Sequence, residues 1–289
     1  VRRALFVVGV ALLLMGQRGA PETIHRGWAT TAEVALRIWL PTGTVEVECW
    51  ELDSVDVRGT IGTHSSFFGG VAAGGASGKF GVEPRARGDA RLASADLRVM
   101  MPRRAQLAIK MTDGRVMAVG TSGSLEVLTV TGDVTIRQAR GSVTVETIDA
   151  KVRISETQGA VRVRNGGGVV TLADVQGSMT LTTVDGAITV EGTALGDGRL
   201  ETIGGSIAVR GRLTPQARLE LSSHDGPISL LLDPTAVPRL DLATRGGLVR
   251  NGLGLGNARF GEVVGRSFKG GINVAARSGI EGGKHSKKP

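Results

Sequence analysis

A glycine returns every nine residues through the middle of this chain: Gly114, Gly123, Gly132, Gly141, Gly159, Gly168, Gly177 and Gly186, with Ala150 in the one gap. Two residues after each stand Val116, Leu125, Val134, Val143, Val152, Val161, Val170, Met179 and Ile188. Four residues after stand Ala118, Val127, Ile136, Val145, Ile154, Val163, Leu172, Leu181 and Val190. Neighbouring side chains of a strand face opposite ways, so these two apolar positions share one face and glycine supplies the corner between strands. A short fixed period of this kind predicts an all-β chain, folded as a single-chain parallel β-solenoid, or β-helix, of nine-residue strand-turn units.

Nine residues are too few to enclose a core, so two units per coil is the favoured closure and a triangular coil of three units the alternative. The position seven after each glycine supports two units. Small or polar residues (Thr121, Ala139, Thr157, Thr193) alternate there with larger apolar ones (Val130, Ile148, Val184), with Val175 and Gly166 as the exceptions. On such a coil Arg115, Asp133 and Lys151 would stack in one column, and Glu146 would meet Arg164.

The solenoid extends in both directions. Val34, Leu36, Ile38 and Leu40 alternate as a half-buried strand, and Gly43 leads Val45 and Val47 at the offsets of the central repeat. Trp39 and Trp50 are expected to cover the open end. Residues 59–89 break the period with a dense run of glycines, with Phe67, Phe68 and Phe80 among them, and read as a long Gly-rich loop. Later strand pairs are Leu219/Leu221, Ile228/Leu230, Leu240/Leu242 and Ile272/Val274. One domain over residues 28–281 results, with no linker. Residues 282–289 form a polar basic tail expected to be disordered.

Residues 1–20 read as a signal peptide or an uncleaved N-terminal anchor. Arg2 and Arg3 precede an apolar run from Ala4 to Met15, too short for a comfortable membrane span. Export to the periplasm or cell surface is the expectation, with membrane contact only through that segment. The formal charge of +8 invites a nucleic-acid reading. Residues 1–20 and the tail, however, hold six of the 35 basic residues and none of the 27 acidic ones, leaving a body of 29 against 27. That balance argues against nucleic acid. Cys49 is the single cysteine, so no intramolecular disulfide forms, and its expected role is a small buried strand residue.

Chemistry is sparse along the repeat. Asp113, Asp149 and Asp185 precede turns, but at two coils apart they are too far from one another to share a calcium ion. His25, His64, His224 and His285 are scattered, and no triad, phosphate loop or zinc spacing occurs. No catalytic residue, metal site or cofactor is expected. Two candidate surfaces remain: Phe67, Phe68 and Phe80, set among glycines, as a contact surface or alternatively as rings folded back to cap the solenoid, and Arg153, Arg162 and Arg164 as an outer-face ligand groove.

Thr42–Gly59, Ala95–Arg104, Thr183–Val190, Leu240–Leu248 and the closing GGINVAARSGI together resemble the bacterial putative-adhesin family of β-strand-repeat domains. The resemblance spans residues 28–281, departing at Thr244-Arg245-Gly246-Gly247, where that family has a Thr-x-Ser-Gly-Asp type of turn. It implies an exported, envelope-facing solenoid with no established catalytic residues. The functional expectation is a non-enzymatic structural or adhesive envelope protein, with a cell-surface glycan or an envelope protein as partner. The alternative is a polysaccharide-binding or polysaccharide-cleaving β-helix.

Overall fold

The computed structural model describes residues 21–86, 91–253 and 261–277, so the N-terminal segment 1–20 and the basic tail 282–289 lie outside the described residues. Every regular element among the described residues is a strand. Central strands β7 (Gln106–Val119), β8 (Leu125–Arg137) and β9 (Val143–Thr157) each cross a corner, at Gly114, Gly132 and Ala150, so one strand serves two ladders. In the first ladder Leu107 pairs with Leu125 and Leu125 with Val143; in the second Val116 pairs with Val134 and Val134 with Val152. Strands β10 (Val161–Gly167), β11 (Val170–Val175), β12 (Met179–Thr183) and β13 (Ile188–Leu195) continue both ladders in parallel. From Leu107 to Ile188 every parallel partner lies two glycine periods further along the chain.

The inward rows of the two ladders meet in an apolar core. Val143, Val145, Val161 and Val163 from one ladder, and Val152, Ile154, Val170 and Leu172 from the other, are each at most 2% exposed. Rows of β-branched residues suit this narrow interior, because their stiff side chains pack rung on rung. Outward columns follow the same register. Arg115, Asp133 and Lys151 occupy one column, and Glu146 bonds Arg164 at 2.9 Å.

The glycines answer to a constraint beyond turn geometry. Gly141, Gly159 and Gly177 have ordinary backbone angles, yet a Cβ on any of them would overlap the carbonyl oxygen of the equivalent glycine one rung below. The second corner behaves alike: Gly186 lies over Gly168, Gly205 over Gly186, and Gly226 over Gly205. At the remaining turn Gln138, Glu156 and Asp174, one rung apart, adopt φ of 51–55°. This left-handed conformation is strained for residues with a side chain.

Buried polar side chains bond the corner carbonyls, as their burial demands. Thr183 donates to the Gly186 carbonyl at 2.7 Å. Asn165 donates to the Ala150 carbonyl at 2.9 Å and accepts a bond from Thr147 at 2.6 Å. Ser223 and Thr244 repeat the bond further along, to Gly205 and Gly270.

At β14 (Gly198–Thr202) and β15 (Ile207–Leu213) the register begins to widen. Met179 pairs with Gly198, one position beyond two periods, and Gly198 with Leu219, three positions beyond. The far end departs from chain order. Strands β18 (Arg239–Thr244) and β19 (Val249–Asn251) would follow β16 (Arg218–Ser223) and β17 (Ile228–Leu232) in a simple coil. Instead β20 (Glu262–Ser267) lies between β16 and β18, and β21 (Ile272–Ala276) between β17 and β19. The later pair is the more apolar fit: Val263, Ile272 and Val274 are buried, whereas Leu240 and Leu242 are half-exposed.

The near end is closed by antiparallel extensions. Strand β2 (Ala35–Trp50) lies along β7 on one side and against β5 (Ser77–Pro84) and β6 (Ser94–Pro102) on the other. Strand β4 (Ser65–Val71) pairs antiparallel with β5, and β1 (Glu22–Ala29) and β3 (Ser54–Ile61) extend β6. The expected loop over residues 59–89 is therefore largely a β-hairpin. The expected tryptophan cap is also corrected: Trp39 points outward at 43% exposure, and Trp50 is half-buried with its indole N–H on the Ser54 carbonyl at 2.8 Å. Closure falls to Phe80, which is fully buried and stacked between Trp28 (5.8 Å) and Phe67 (6.1 Å).

Replacing Gly141 by alanine should lower stability by about 1–3 kcal/mol, because the methyl meets backbone that cannot turn aside. Gly27→Ala, where a Cβ would meet nothing closer than 3.9 Å, should change it by less than about 0.5 kcal/mol. Urea unfolding of both variants checks the contrast.

Candidate functional site

One corner of the stack carries an apolar ridge. Hydrogen bonds and register align Val130, Ile148, Gly166, Val184, Ile203, His224 and Phe268, one per rung. Val130 (40%), Ile148 (65%), Val184 (46%), Ile203 (54%) and Phe268 (40%) are all exposed. With Arg245 on the last rung, the ridge covers seven steps of roughly 4.8 Å, or about 34 Å. Its positions lie just before the corners, where the preceding residue turns inward: Thr129, Asn165, Thr183, Thr202 and Ser223 bond backbone carbonyls there, Thr147 bonds Asn165, and Ser267 is buried without a bond among the described residues. Alternation along the strand then forces the ridge residue outward.

The ridge ends in a polar cluster. His224 stacks on Phe268 with ring centroids 4.8 Å apart, and Arg245 covers the same ring at 5.4 Å. Asp225 accepts from His224 at 2.7 Å and pairs with Lys269 at 2.9 Å. Lys269 first, then His224, hold its carboxyl below the usual aspartate range. A groove of about 570 Å³ runs beside this end, lined by Thr182, Val184, Glu201, Ile203, Arg266 and Phe268.

The residues singled out from sequence are not brought together. Phe80 and Phe67 belong to the core of the near end, so the expected contact surface of Phe67, Phe68 and Phe80 is corrected: only Phe68 stands on the outer side, opposite Gly81. Arg162 and Arg164 lie in the ladder of β9, β10 and β12, whereas Arg153 lies in that of β9 and β11. The two ladders face each other through the core, so the arginines point from opposite faces and form no common groove. Asp113 accepts a bond from Thr131 at 2.6 Å. Among the described residues no group of three His, Cys, Asp or Glu side chains converges as metal ligands would. The ridge was within reach of sequence reasoning, since its members are the larger apolar residues of the alternating column. The corner bonds place Val130, Ile148 and Val184 on the outside, which the alternation of size alone does not state.

Cys49 is half-buried on β2, and burial pushes its thiol up to about 12, against a smaller opposing pull from Arg103. Below pH 9 the native thiol is neutral and a poor nucleophile. Native protein at pH 8 should therefore alkylate with iodoacetamide at least about tenfold more slowly than unfolded protein, read by mass spectrometry. Because the folded value is raised, Cys49 favours the folded state below its unfolded value and loses that contribution as pH climbs from about 9 toward 12.

Fold and surface together define an all-β repeat protein of the β-solenoid-like class, with a buried aliphatic core and an exposed apolar ridge. Residues 96–237, just under half of the chain, are similar to the family model described as Toastrack DUF4097. The match begins in β6 and stops before β18, leaving the near-end cap and the returning strands outside it. No curated protein matches the chain. Among solved structures, that of a putative cell adhesion protein from Clostridium sporogenes ATCC 15579 covers 89% of this chain and 100% of its own, at 10% identity and a TM-score of 0.24. So loose a superposition carries no argument.

Proposed function

We propose that this protein is an exported, non-enzymatic β-solenoid with two nine-residue units per coil, serving as a structural or adhesive element of the cell envelope. The observation that carries the reading is the ridge: a line about 29 Å long from Val130 to Phe268, with Val130, Ile148, Val184, Ile203 and Phe268 exposed along it, of the kind that marks a contact surface. Export is supported by the charged and apolar composition of residues 1–20. The two-period register supports the two-unit coil. The non-enzymatic part is supported by how outer-face carboxylates are engaged: Glu201 with Arg199 and Glu262 with Arg218, both at 2.6 Å, and Asp241 with Arg266 at 2.7 Å.

Fractionation tests the assignment. The wild-type protein should be retained in the envelope fraction and be open to protease on intact or outer-membrane-permeabilised cells. The triple variant Ile148→Lys, Val184→Lys, Ile203→Lys should keep its melting midpoint, since these side chains are exposed, and lose that retention. A cytosolic, protected wild-type protein overturns export. Unchanged retention of the variant overturns the ridge as the contact.

Deleting residues 133–150, one whole register step, should leave a folded, shorter protein with cooperative unfolding. Deleting 133–141 should destroy cooperativity, because inward rows of one ladder would then meet those of the other. Equal tolerance of both deletions, by circular dichroism melting, counts against the two-unit coil.

A further inference from the structure

Several outer-face arginines are answered across strands, as in Arg98 with Glu48, Arg164 with Glu146 and Arg210 with Glu191, at 2.9–3.0 Å, while others, such as Arg153 and Arg162, lie between threonines rather than beside another cation. The near end breaks that habit. On β2 the side chains of Leu36, Ile38 and Leu40 are buried, so Arg37 and Trp39 point outward. Arg37 stands directly beside Lys79 of β5, two like charges on neighbouring strands, an arrangement that destabilises a sheet. Trp39 stands beside Lys110 of β7, whose ammonium lies 5.1 Å from the ring centroid. Among the described residues none of these three cations makes an ion pair; the first carboxylate along the Arg37 row is Glu126, beyond Ala108. On the other side of Trp39 lies Gly81, which sets no side chain against the indole, with Phe68 one strand further along the row. Beside Arg37 and Lys79 opens a groove of about 780 Å³, also lined by Trp28, Gly69, Gly70 and Gly78.

We propose that this face binds an acidic oligosaccharide, with Arg37 and Lys79 taking the carboxylates of uronic acid units and Trp39 stacking on a sugar ring. The fork of an arginine matches a carboxylate, and a bound anion relieves the Arg37–Lys79 repulsion. An exposed indole with a glycine neighbour offers a flat apolar platform for the C–H face of a pyranose. Nucleic acid fits less well. Three cations over two rows cannot track a phosphate backbone of several nucleotides, and the body of the chain is nearly neutral, 29 basic residues against 27 acidic. All but Lys110 of these residues lie outside the stretch matched by the Toastrack model. The site is separate from the ridge, so its failure leaves the envelope reading standing, and the converse holds.

The test uses the described chain and four probes: oligogalacturonate, its neutral methyl ester, polyglutamate and a single-stranded oligonucleotide, each titrated by calorimetry at low salt. Oligogalacturonate alone should bind appreciably. Arg37→Gln with Lys79→Gln, and separately Trp39→Ala, should each weaken it by about tenfold or more, with unchanged melting midpoints. Single Lys79→Gln carries the comparison should the pair not fold. No binding of oligogalacturonate, equal binding of the ester, polyglutamate or the oligonucleotide, or undiminished binding by the variants, overturns the proposal.

Discussion

The stack depends on the contact between a backbone carbonyl and the bare Cα of the glycine one rung above it, a contact whose column Ala150 alone interrupts between Gly132 and Gly168. Two such columns run up the stack, Gly123–Gly141–Gly159–Gly177 at one turn and Gly168–Gly186–Gly205–Gly226 at the other corner. Where they hold, each rung must repeat its neighbour's path, and outward side chains are forced into columns. Where the chain needs extra length it departs at one turn only. The register step lengthens twice between Met179 and Leu219, yet Gly205 and Gly226 stay over their predecessors. The first column ends at the same place, where Gly196 has only a 3.1 Å approach to Gly177. Insertions are thus absorbed at the turn that can release its glycine contact.

The corner that never releases is also the one held by buried hydroxyl and amide groups. A stack of tight corners leaves carbonyls facing inward that the ladder does not use, and a buried acceptor without a donor costs about 1–3 kcal/mol. Thr183, Asn165, Ser223 and Thr244 supply those donors. The two constraints act together: glycine lets the rungs approach, and the polar residue just before it satisfies what the approach would bury. Between them stands the ridge residue, which has no room inside and so faces solvent.

This explains which parts of the molecule were legible in the sequence. The inward rows were, because alternation and the glycine period state them directly. The Arg115–Asp133–Lys151 column and the Glu146–Arg164 pair followed from the same spacing. The near end was not legible, because Gly69, Gly70 and Gly78 resemble loop composition while serving a hairpin whose strands lie close to Trp28 and Leu36. Nor was the far end. A step as long as that from Gly198 to Leu219 would carry Leu219 to Leu240, and only comparative burial favours Val263 in that place. The arginine groove failed for a simpler reason. Arg153 and Arg162 are nine residues apart, and on this fold that is half a turn of the stack, which puts them on opposite faces.

The same half-turn rule gives the outer faces their meaning. Charges two periods apart are neighbours, so a sequence that alternates their sign along a column neutralises its own surface. Exposed pairs of this kind contribute only about 0–1 kcal/mol each. Their larger consequence is to leave the faces electrostatically quiet, so that a flat stack of strands offers little to a passing polyanion. Against that background an unanswered cluster such as Arg37, Lys79 and Lys110 carries its field undiminished over the groove beside it. An apolar ridge on one corner and a cationic, tryptophan-bearing patch at one end are thus different kinds of exception to a single pattern. The outward placement of the ridge follows from the geometry of the corner, which any sequence of this period would share, whereas its apolar side chains are this chain's own. The patch arises from residues that break the alternation of charge where the fold leaves them free to keep it.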